Sequence, residues 1–344
     1  MVAGVKKNPM QQERWITLAH GNGGRFMREL INGIFARYLA SPELDVQADA
    51  VALTMTGELF FTTDSFTVQP LEFPGGDIGK LAVHGTVNDL AVAGANPRYL
   101  SLSAIIEEGL EVAQLERLVA SLAAAAHEAE VRIVAGDTKV VPRGQGGGLY
   151  LNTTGIGIRT VSASLGLRRI RLGDMLLVSG PVGDHGIAVM LAREEFGLQG
   201  DLRSDCASVL PLTRVLLDLP GLRFMRDPTR GGLATVAHEI AHAVGAGVRL
   251  FETAIPVHDP VRSVCEMLGY DPYYLACEGR VVAVVAENEA DAALSRWRAL
   301  PQGKEAAVIG HMENTGSAEV ILETELGGER LLDELEDNPL PRIC

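Results

Sequence analysis

The sequence predicts an α/β protein with two mixed α/β domains and a C-terminal tail. Short apolar runs of strand length alternate with amphipathic helical stretches in both halves of the chain, and this alternation is typical of α/β architecture. The 344 residues correspond to about two domains of ordinary size. Hydrophobic residues make up 47% of the chain, so a largely disordered chain is excluded.

In the first half, the clearest helix is Glu111–Ala129, in which apolar residues recur at spacings of three and four. A further helix is expected at Gly79–Gly94, and a possible one at Phe26–Tyr38. The predicted strands are Glu58–Asp64, Tyr99–Ile106, Val131–Ala135, which Gly136-Asp137 is expected to close, and Leu149–Ile158.

The second half repeats this mixture of elements without a fixed sequence repeat. The predicted strands are Asp174–Ser179, Arg280–Ala286 and Ala306–Gly310. The predicted helices are Gly186–Phe196, Leu212–Leu217, Thr229–Val244, Val261–Leu268 and Ala290–Arg298.

Four segments follow from this pattern: residues 1–40, an N-terminal extension with a Gly-rich segment; 41–160, the first α/β domain; 161–330, the second; and 331–344, a flexible tail. The domain boundary is expected in the loop Thr160–Arg171. From Glu323 to Asp337 there are seven acidic residues and one basic residue, and two prolines follow. This composition disfavours a packed element at the end of the chain.

Composition also excludes some classes of function. The net charge of −14 disfavours nucleic acid or an anionic membrane as the partner. The N-terminus lacks the apolar run of a secretory signal, and no stretch approaches a membrane span. The four cysteines form no CxxC pair, which indicates a reduced, cytoplasmic protein.

Acidic residues stand at the ends of predicted elements: Asp64, Asp89, Asp137 and Asp227. Carboxylates in such places are suitable ligands for Mg²⁺, which often accompanies a phosphate. A single aspartate before a helix is just as often an N-cap. The set as a whole therefore predicts a magnesium site more strongly than any one member does.

Two loops have the composition of phosphate-binding sites. Asp227–Gly232 places Thr229, Arg230 and Gly231 at a helix start, where backbone amides and the helix dipole favour anions. Gly21–Gly24, with Gly23 and Gly24, is also dense enough in glycine to hold a phosphate. The alternatives are an ordinary capped helix for the first loop and a flexible linker for the second. No Walker loop and no GxGxxG fingerprint is present.

Three further residues are candidates for the chemistry. His185, in a strand-to-helix turn, is a possible acid or base, or a histidine that only binds backbone. Lys139, two residues after Asp137, is a candidate phosphate ligand or a solvated lysine. Glu278, at the start of a strand, is a candidate base. A structural ion pair with Arg280 is the alternative for Glu278.

One motif points to a different chemistry. His238-Glu239-Ile240-Ala241-His242 matches the HExxH pattern of zinc hydrolases on a predicted helix. The sequence identifies no third ligand, and the helix is short and rich in alanine. We therefore interpret this stretch as a packed helix.

Cys344 ends the acidic tail and is the least ordinary residue of the chain. A thiol at the tip of such a tail is suited to act as a carrier or nucleophile. Cys206 and Cys265, by contrast, are expected to be structural core cysteines.

Taken together, these motifs resemble the HypE family of hydrogenase maturation factors, within the aminoimidazole ribonucleotide synthetase (PurM-like) superfamily. The resemblance runs from His20 to Cys344. The segments that carry it are HGNGG, TTDSF, VNDLAVAGANP, AGDTKVV, SGPVGDHGIAV, RDPTRGGLA, CEGR and the terminal PRIC, the most specific of them.

The resemblance implies a PurM-like fold of two α/β domains, with a homodimer formed by the N-terminal domain. It implies that Cys344 receives a carbamoyl group from a HypF-type carbamoyltransferase. ATP then drives dehydration of the carboxamide to a thiocyanate, and the cyanide passes to iron on a HypC–HypD scaffold for the [NiFe] hydrogenase centre.

Roles for individual residues follow from the same resemblance. Mg²⁺ and ATP are assigned to Asp64, Asn88, Asp89, Asp137 and Asp227, with Lys139 at a phosphate or the activated oxygen. Glu278 is the preferred base and His185 the second choice. Two other functions remain open: a related ATP-dependent enzyme acting on a free small molecule, and a non-enzymatic thiol carrier.

Overall fold

The computed structural model describes residues 13–48, 50–159, 165–193 and 200–335. These residues form two compact units. The first unit falls within Met1–Glu72, Asp77–Thr86 and Pro97–Ile158, and the second within Phe73–Gly76, Val87–Asn96 and Arg159–Cys344. The expected boundary loop lies partly outside the described residues, at 160–164.

Up to residue 159 the elements are α1 (Arg25–Leu30), α2 (Ala36–Tyr38), β1 (Glu58–Phe66), β2 (Glu72–Phe73), β3 (Gly76–Asp77), α3 (Ile78–Val92), β4 (Asn96–Glu107), α4 (Val112–Glu128), β5 (Arg132–Val141) and β6 (Leu149–Arg159). A π-helical turn at Ile31–Phe35 separates α1 from α2. The helix predicted at Phe26–Tyr38 therefore exists, but it is not a regular α-helix throughout.

The first unit is built on a four-stranded sheet in the order β1-β6-β4-β5. Strands β4 and β5 are parallel, and α4 forms the crossover between them, as a parallel pair requires. Helix α4 buries Leu115, Leu118 and Leu122. Each of these leucines contributes about 2 kcal/mol by leaving water.

Strand β5 corrects one sequence prediction. It does not end at Ala135 but runs through Gly136-Asp137 to Val141, paired with β4. A Cβ at Gly136 would lie 2.6 Å from the Leu102 carbonyl oxygen. Gly136 is thus a close-contact position inside the strand rather than a turn, and Asp137 and Lys139 lie within the strand.

From residue 165 the elements are β7 (Met175–Val178), α5 (Asp184–Ala192), α6 (Leu210–Arg214), β8 (Leu222–Arg226), α7 (Gly232–Val244), β9 (Gly247–Phe251), α8 (Asp259–Leu268), β10 (Val282–Val285), α9 (Ala290–Arg298), β11 (Ala307–Glu313), β12 (Val320–Glu323) and β13 (Glu329–Leu331). The prediction for α9 is confirmed residue for residue. The predicted helix Gly186–Phe196 extends outside the described residues at 194–196.

The second unit is built on a seven-stranded sheet in the order β13-β12-β9-β11-β7-β10-β8. Its pairs are antiparallel except for β12 with β9. Helix α7 packs Leu233, Val236 and Ile240 into the core of this unit. Within the described residues, no helix has the length and apolar character needed to cross a lipid bilayer.

The acidic segment near the C-terminus is more ordered than its composition predicts. Strand β13 pairs with β12, and Leu332 is buried in the core of the second unit. The expectation that no element packs after Glu323 is therefore wrong for this stretch. Ladder hydrogen bonds and one buried leucine hold it despite its charge.

The second unit also includes Val87–Asn96, which the sequence places in the first domain. Contacts inside the second unit explain this. Arg214 donates a hydrogen bond of 2.7 Å to the Asn96 side chain. A Cβ at Gly94 would lie 3.1 Å from the Leu165 side chain.

Helix α3 carries a buried histidine on its apolar side. His84 is fully buried, and neither of its ring nitrogens has a hydrogen-bond partner among the described residues. Burial, together with the charge of nearby Lys80, lowers the pKa of His84 to about 3. His84 is therefore neutral in the folded chain at ordinary pH.

This burial predicts acid sensitivity of the fold. An unfolded histidine takes up its proton near pH 6.5, whereas folded His84 does so at about 3, so between these values the unfolded state binds more protons. The contribution of neutral His84 to the free energy of unfolding is complete above pH 6.5. It falls by about 1.4 kcal/mol per pH unit as the pH is lowered from there.

Urea denaturation of the His84→Gln variant between pH 7 and pH 5 is expected to show a shallower loss of stability than the unmodified chain. His127→Gln, at an exposed position of α4, is the matched control and should keep the original slope. Equal slopes for the His84→Gln variant and the unmodified chain would contradict the assignment.

Candidate active site

The loop that carries Glu278 is fixed by a buried carboxylate. Asp205 accepts hydrogen bonds from the backbone amides of Glu278, at 3.0 Å, and Gly279, at 3.2 Å. The Asp205 side chain is only 1% exposed. A Cβ at Gly279 would lie 2.0 Å from the Asp205 carbonyl oxygen, so only glycine fits after Glu278. Glu278 itself is 5% exposed.

Arg280 connects this loop to the start of α5. Its guanidinium lies 3.5 Å from Asp205 and 3.5 Å from Asp184, and its Nε donates to the Pro181 carbonyl at 2.9 Å. Burial raises the pKa of Asp184, although His258, at 2.9 Å, and Arg280 act in the opposite direction. The charge of Arg280 is thus compensated by two aspartates, and the residue holds the loop in place.

The entry to α7 lies against the residues that precede Glu278. The backbone amide of Cys277 donates to the Pro228 carbonyl at 3.0 Å. A Cβ at Gly232 would lie 2.5 Å from the Leu275 carbonyl oxygen. These contacts bring the Asp227–Gly232 loop and Glu278 together within the second unit.

The loop that precedes α7 has solvent-accessible polar side chains that could bind an anion. Arg230 is exposed and Thr229 is half-buried. The N-cap of α7 is Gly231, with φ of +75°, and not Asp227. The N-cap alternative for Asp227 is therefore wrong, and the helix begins three residues later than predicted because Gly231 adopts a left-handed conformation.

Asn88 is a structural residue of the second unit. Its side-chain amide donates to the carbonyls of Ala207, at 3.1 Å, and Glu278, at 3.4 Å, and its oxygen accepts from the Val209 amide at 2.9 Å. The side chain is 1% exposed. Asn88 therefore positions the Glu278 loop, and its expected contact with the nucleotide stays a prediction. Asp89, beside it in α3, is half-buried.

His185 is also enclosed. It is 0% exposed, its Nδ1 lies 2.8 Å from the Ser204 hydroxyl, and its ring packs edge-on against Phe73. Burial lowers the pKa of His185 to about 4. His185 is therefore neutral at ordinary pH. Burial does not separate it from Glu278, which is also buried, and its role as the second candidate base stays a prediction.

In the first unit, the Gly-rich loop lies beside β5. A Cβ at Gly21 would lie 2.9 Å from Val140, whereas a Cβ at Gly23 or Gly24 would meet no atom within 4 Å. On the same strand, Lys139 and Asp137 are exposed and their charged groups are 3.7 Å apart. The loop, the lysine and the aspartate thus form one open polar group.

An apolar cavity of about 170 Å³ adjoins this polar group. The aliphatic and aromatic lining includes Met27, Ile31, Phe35 and Ile133, and Asp137 lies at its edge. Asp45 and Thr138 also line it, and an apolar pocket with a few polar groups is typical of small-molecule sites. Its position beside the Gly-rich loop makes it a candidate for the base of a nucleotide.

The expected acidic set does not converge inside the first unit. Asp64 lies on β1 and Asp137 on β5, the two edges of the four-stranded sheet. Three strand spacings of roughly 4.8 Å separate them by about 14 Å. Asp64 also faces α3, 3.8 Å from a Cβ placed at Gly85, whereas Asp137 is exposed.

Carboxylates at this spacing do not share one ion, so the pair does not converge within this unit. The role of each aspartate as a metal ligand stays a prediction. Each remains an oxygen donor of the kind that Mg²⁺ prefers. Asp137 differs from Asp64 in lying beside the Gly-rich loop, on the same strand as Lys139.

The sequence did not single out Asp184 or Asp205 as members of the site. Asp184 lies in the SGPVGDHGIAV segment, in which His185 was the candidate, and Asp205 lies in none of the motifs. The only available signal was an aspartate in SGPVGDHG and another in RSDCAS, and neither shows that the residue is buried. Cys344 lies outside the described residues.

Family models match both halves of the chain. Residues 47–159 match the N-terminal domain of AIR synthase related proteins. Residues 171–323 match the C-terminal domain of the same proteins.

Individual relatives are similar over nearly the whole chain. The carbamoyl dehydratase HypE of Rhodobacter capsulatus is 47% identical over 97% of this chain and 99% of its own. A crystal structure of the hydrogenase maturation protein HypE in complex with ATP has a TM-score of 0.91 at 47% identity, covering 95% of this chain and 99% of the other. A chain of a HypE–HypF complex has a TM-score of 0.78 at 44% identity, covering 89% and 99%.

Both domain models and the relatives agree with the two units and the predicted α/β fold. The chain therefore belongs to the AIR synthase related family and, within it, to the HypE carbamoyl dehydratases of hydrogenase maturation.

Proposed function

We propose that this chain is an ATP-dependent carbamoyl dehydratase that converts a carboxamide on the Cys344 thiol into a thiocyanate. The product supplies cyanide for the iron of the [NiFe] hydrogenase centre. The observation that carries the proposal is the 47% identity to a carbamoyl dehydratase over 97% of the chain. The relative crystallised with ATP supports ATP as the cosubstrate.

The states of the other cysteines support Cys344 as the carrier. Cys206, Cys265 and Cys277 are all buried. Burial raises the pKa of the Cys265 thiol to about 12 and raises the pKa of the Cys277 thiol well above its usual value. Because the thiolate is the nucleophile, none of these three is suited to accept a carbamoyl group.

The chemistry needs a leaving group and a base. The carboxamide oxygen attacks the γ-phosphoryl group of ATP, ADP leaves, and one N–H proton is lost, which gives an S-bound imidate phosphate. The C–O bond then breaks, phosphate departs with the oxygen, and loss of the second N–H proton completes the C≡N triple bond. Mg²⁺, when bound, would neutralise charge on the phosphates.

Glu278 is proposed to take the proton. Its backbone is fixed by Asp205, so its position does not depend on the substrate, and its loop adjoins the α7 entry. A preorganised carboxylate of this kind gives about 10²–10⁴-fold acceleration as a general base. The candidate phosphate ligands in the second unit are Thr229, Arg230 and the Gly231 amide, with Asp227 and Asp89 as oxygen donors for a cation.

In the first unit, Gly23, Gly24 and Lys139 are proposed to contact phosphate and Asp137 the cation, with the nucleotide base in the adjoining apolar cavity. Asp64, at the other edge of the sheet, would serve a different ion or a different part of the nucleotide.

The proposed partners follow from family membership. A relative was crystallised as a HypE–HypF complex, which supports a HypF-type carbamoyltransferase as the donor of the carbamoyl group. A HypC–HypD scaffold is the proposed acceptor of the cyanide. The reaction is proposed to take place in the cytoplasm.

A homodimer is proposed through the sheet of the first unit. Phe61 and Leu59 on β1 are 72% and 58% exposed, and Ile105 on β4 is 39% exposed. Large apolar side chains exposed on one sheet are typical of a surface that a second copy covers. The occupant proposed here is a second copy of this chain.

The first test is intact mass spectrometry after incubation with carbamoyl phosphate, ATP, Mg²⁺ and a HypF-type partner. Carboxamide formation should add about 43 Da to the chain and dehydration should then remove about 18 Da, both at the Cys344 thiol. The Cys344→Ala variant should show neither change, and Cys265→Ala should behave as the unmodified chain.

The outcomes separate the alternative functions. Turnover of ATP on a free small molecule by Cys344→Ala would favour a different enzyme of the superfamily. A carboxamide that never loses water would favour a simple carrier. Either result contradicts the proposal.

The second test concerns the dimer. The Phe61→Arg variant should shift the chain from dimer to monomer in light scattering, because a charged side chain there would be buried without a partner. The matched control is Leu326→Arg, since Leu326 is 99% exposed in the second unit. An unchanged dimer in Phe61→Arg would contradict this interface.

A further inference from the structure

Three side chains with metal-binding atoms meet where the C-terminal segment crosses α7. One ring nitrogen of His238, one of His242 and a carboxylate oxygen of Glu334 all lie within 4.8 Å of one another. The two histidines are one helical turn apart on α7, and Glu334 follows β13. We refer to these three residues as the α7–tail cluster.

The two histidines differ in their surroundings. His238 is 7% exposed, and its Nε2 lies 2.7 Å from the Leu332 carbonyl oxygen. Since a carbonyl only accepts, Nε2 carries the proton in the neutral ring and Nδ1 carries the lone pair. Within the described residues, Nδ1 is buried without a partner. His242 is half exposed, with its Nε2 3.1 Å from Glu334.

An ordinary ion pair accounts for only part of this arrangement. The exposed pair of His242 and Glu334 would contribute about 0–1 kcal/mol. It does not explain why His238 lies beside this pair. It also does not explain the unpartnered Nδ1 of His238, because a buried nitrogen without a hydrogen bond destabilises the fold. A cation held by all three residues would satisfy every member of the cluster.

We propose that the α7–tail cluster binds one divalent transition-metal cation of the Zn²⁺ class and fastens Leu332–Glu334 to α7. Two imidazoles and one carboxylate form a donor set that suits Zn²⁺ better than Mg²⁺, because Mg²⁺ favours oxygen ligands. Coordination through Nδ1 of His238 satisfies that nitrogen and keeps the Nε2 bond to the Leu332 carbonyl.

The site is not the centre of a zinc hydrolase, although it uses both histidines of the HExxH motif. The glutamate of the motif, Glu239, is paired with Arg226, whose Nε and terminal nitrogen lie 3.1 and 2.7 Å from it. The general base of zinc hydrolases is thus engaged elsewhere. The interpretation of this stretch as a packed helix stands, with a metal-binding role added to it.

The segment that the cation would hold is already attached at two other points. Leu332 is 1% exposed, and the Tyr274 hydroxyl donates to the Asp333 carbonyl at 2.6 Å. A cation at Glu334 would extend this attachment to the residue ten positions before Cys344. It would fix the origin of a tether with a reach of about 35 Å.

The test is a calorimetric titration of the full chain, free of affinity tags, with ZnCl₂. Every sample carries Cys344→Ser, so that the terminal thiol is not a competing ligand. The expected result is one Zn²⁺ per chain, with affinity at least about tenfold weaker in His242→Ala and in Glu334→Gln, since each loses one of three ligands. MgCl₂ in excess should not displace the ion.

His242 and Glu334 are exposed, so their variants are expected to fold, which is less certain for a change at buried His238. His127→Ala, at an exposed position on α4, is the matched control and should bind as before. Absence of binding at micromolar Zn²⁺, or equal affinity in all variants, would overturn the proposal. Neither result depends on the dehydratase activity, so the two proposals can fail separately.

Discussion

The arrangement around Glu278 depends on the carboxylate of Asp205. It accepts two consecutive backbone amides and lies beside the guanidinium of Arg280, and it is almost completely buried. Breaking such a buried pair by removing one partner costs about 3–5 kcal/mol, because the other charge is left without compensation. The network therefore fixes the conformation of the loop, and substitution of Asp205 or Arg280 is expected to destabilise the fold.

Several other features of the second unit follow from this constraint. Arg280 reaches Asp184 at the start of α5, and Asn88 holds the Glu278 carbonyl from α3. Gly232 and Gly279 leave no room for a side chain. Four separate parts of the chain thus converge on one loop, and Glu278 keeps its place without help from a ligand. Such preorganisation is what a general base requires.

Much of the fold was predictable because it depends on local patterns. The spacing of leucines identified α4, and α9 was predicted with both of its ends. The errors lie where a distant contact decides the structure. Gly136 resembles a turn residue until β4 pairs with it, and Gly231 delays the start of α7 through its left-handed conformation. β13 forms in an acidic stretch because β12 offers a partner.

The candidate site was predictable to a smaller extent. Motifs pointed to Glu278, Lys139 and the two glycine-containing loops, but a motif does not say which residues share a sheet edge. Asp64 and Asp137 look equivalent in the sequence and lie on opposite edges. A motif also does not show whether a residue is buried. His185 and Asn88 resemble ligands in the sequence, but both are packed inside the second unit. Asp205 lies in no motif, although it fixes the Glu278 loop.

The most direct test of the account is a single-turnover experiment on the chain already carbamoylated at Cys344, followed by intact mass after addition of Mg²⁺ and ATP. Replacement of Glu278 by glutamine should leave the carboxamide in place, with the loss of water slowed by about 100-fold or more. Replacement of Glu287, an exposed glutamate after β10, should leave the rate unchanged. Dehydration at the normal rate with glutamine at position 278 would contradict the central claim that this buried carboxylate takes the proton.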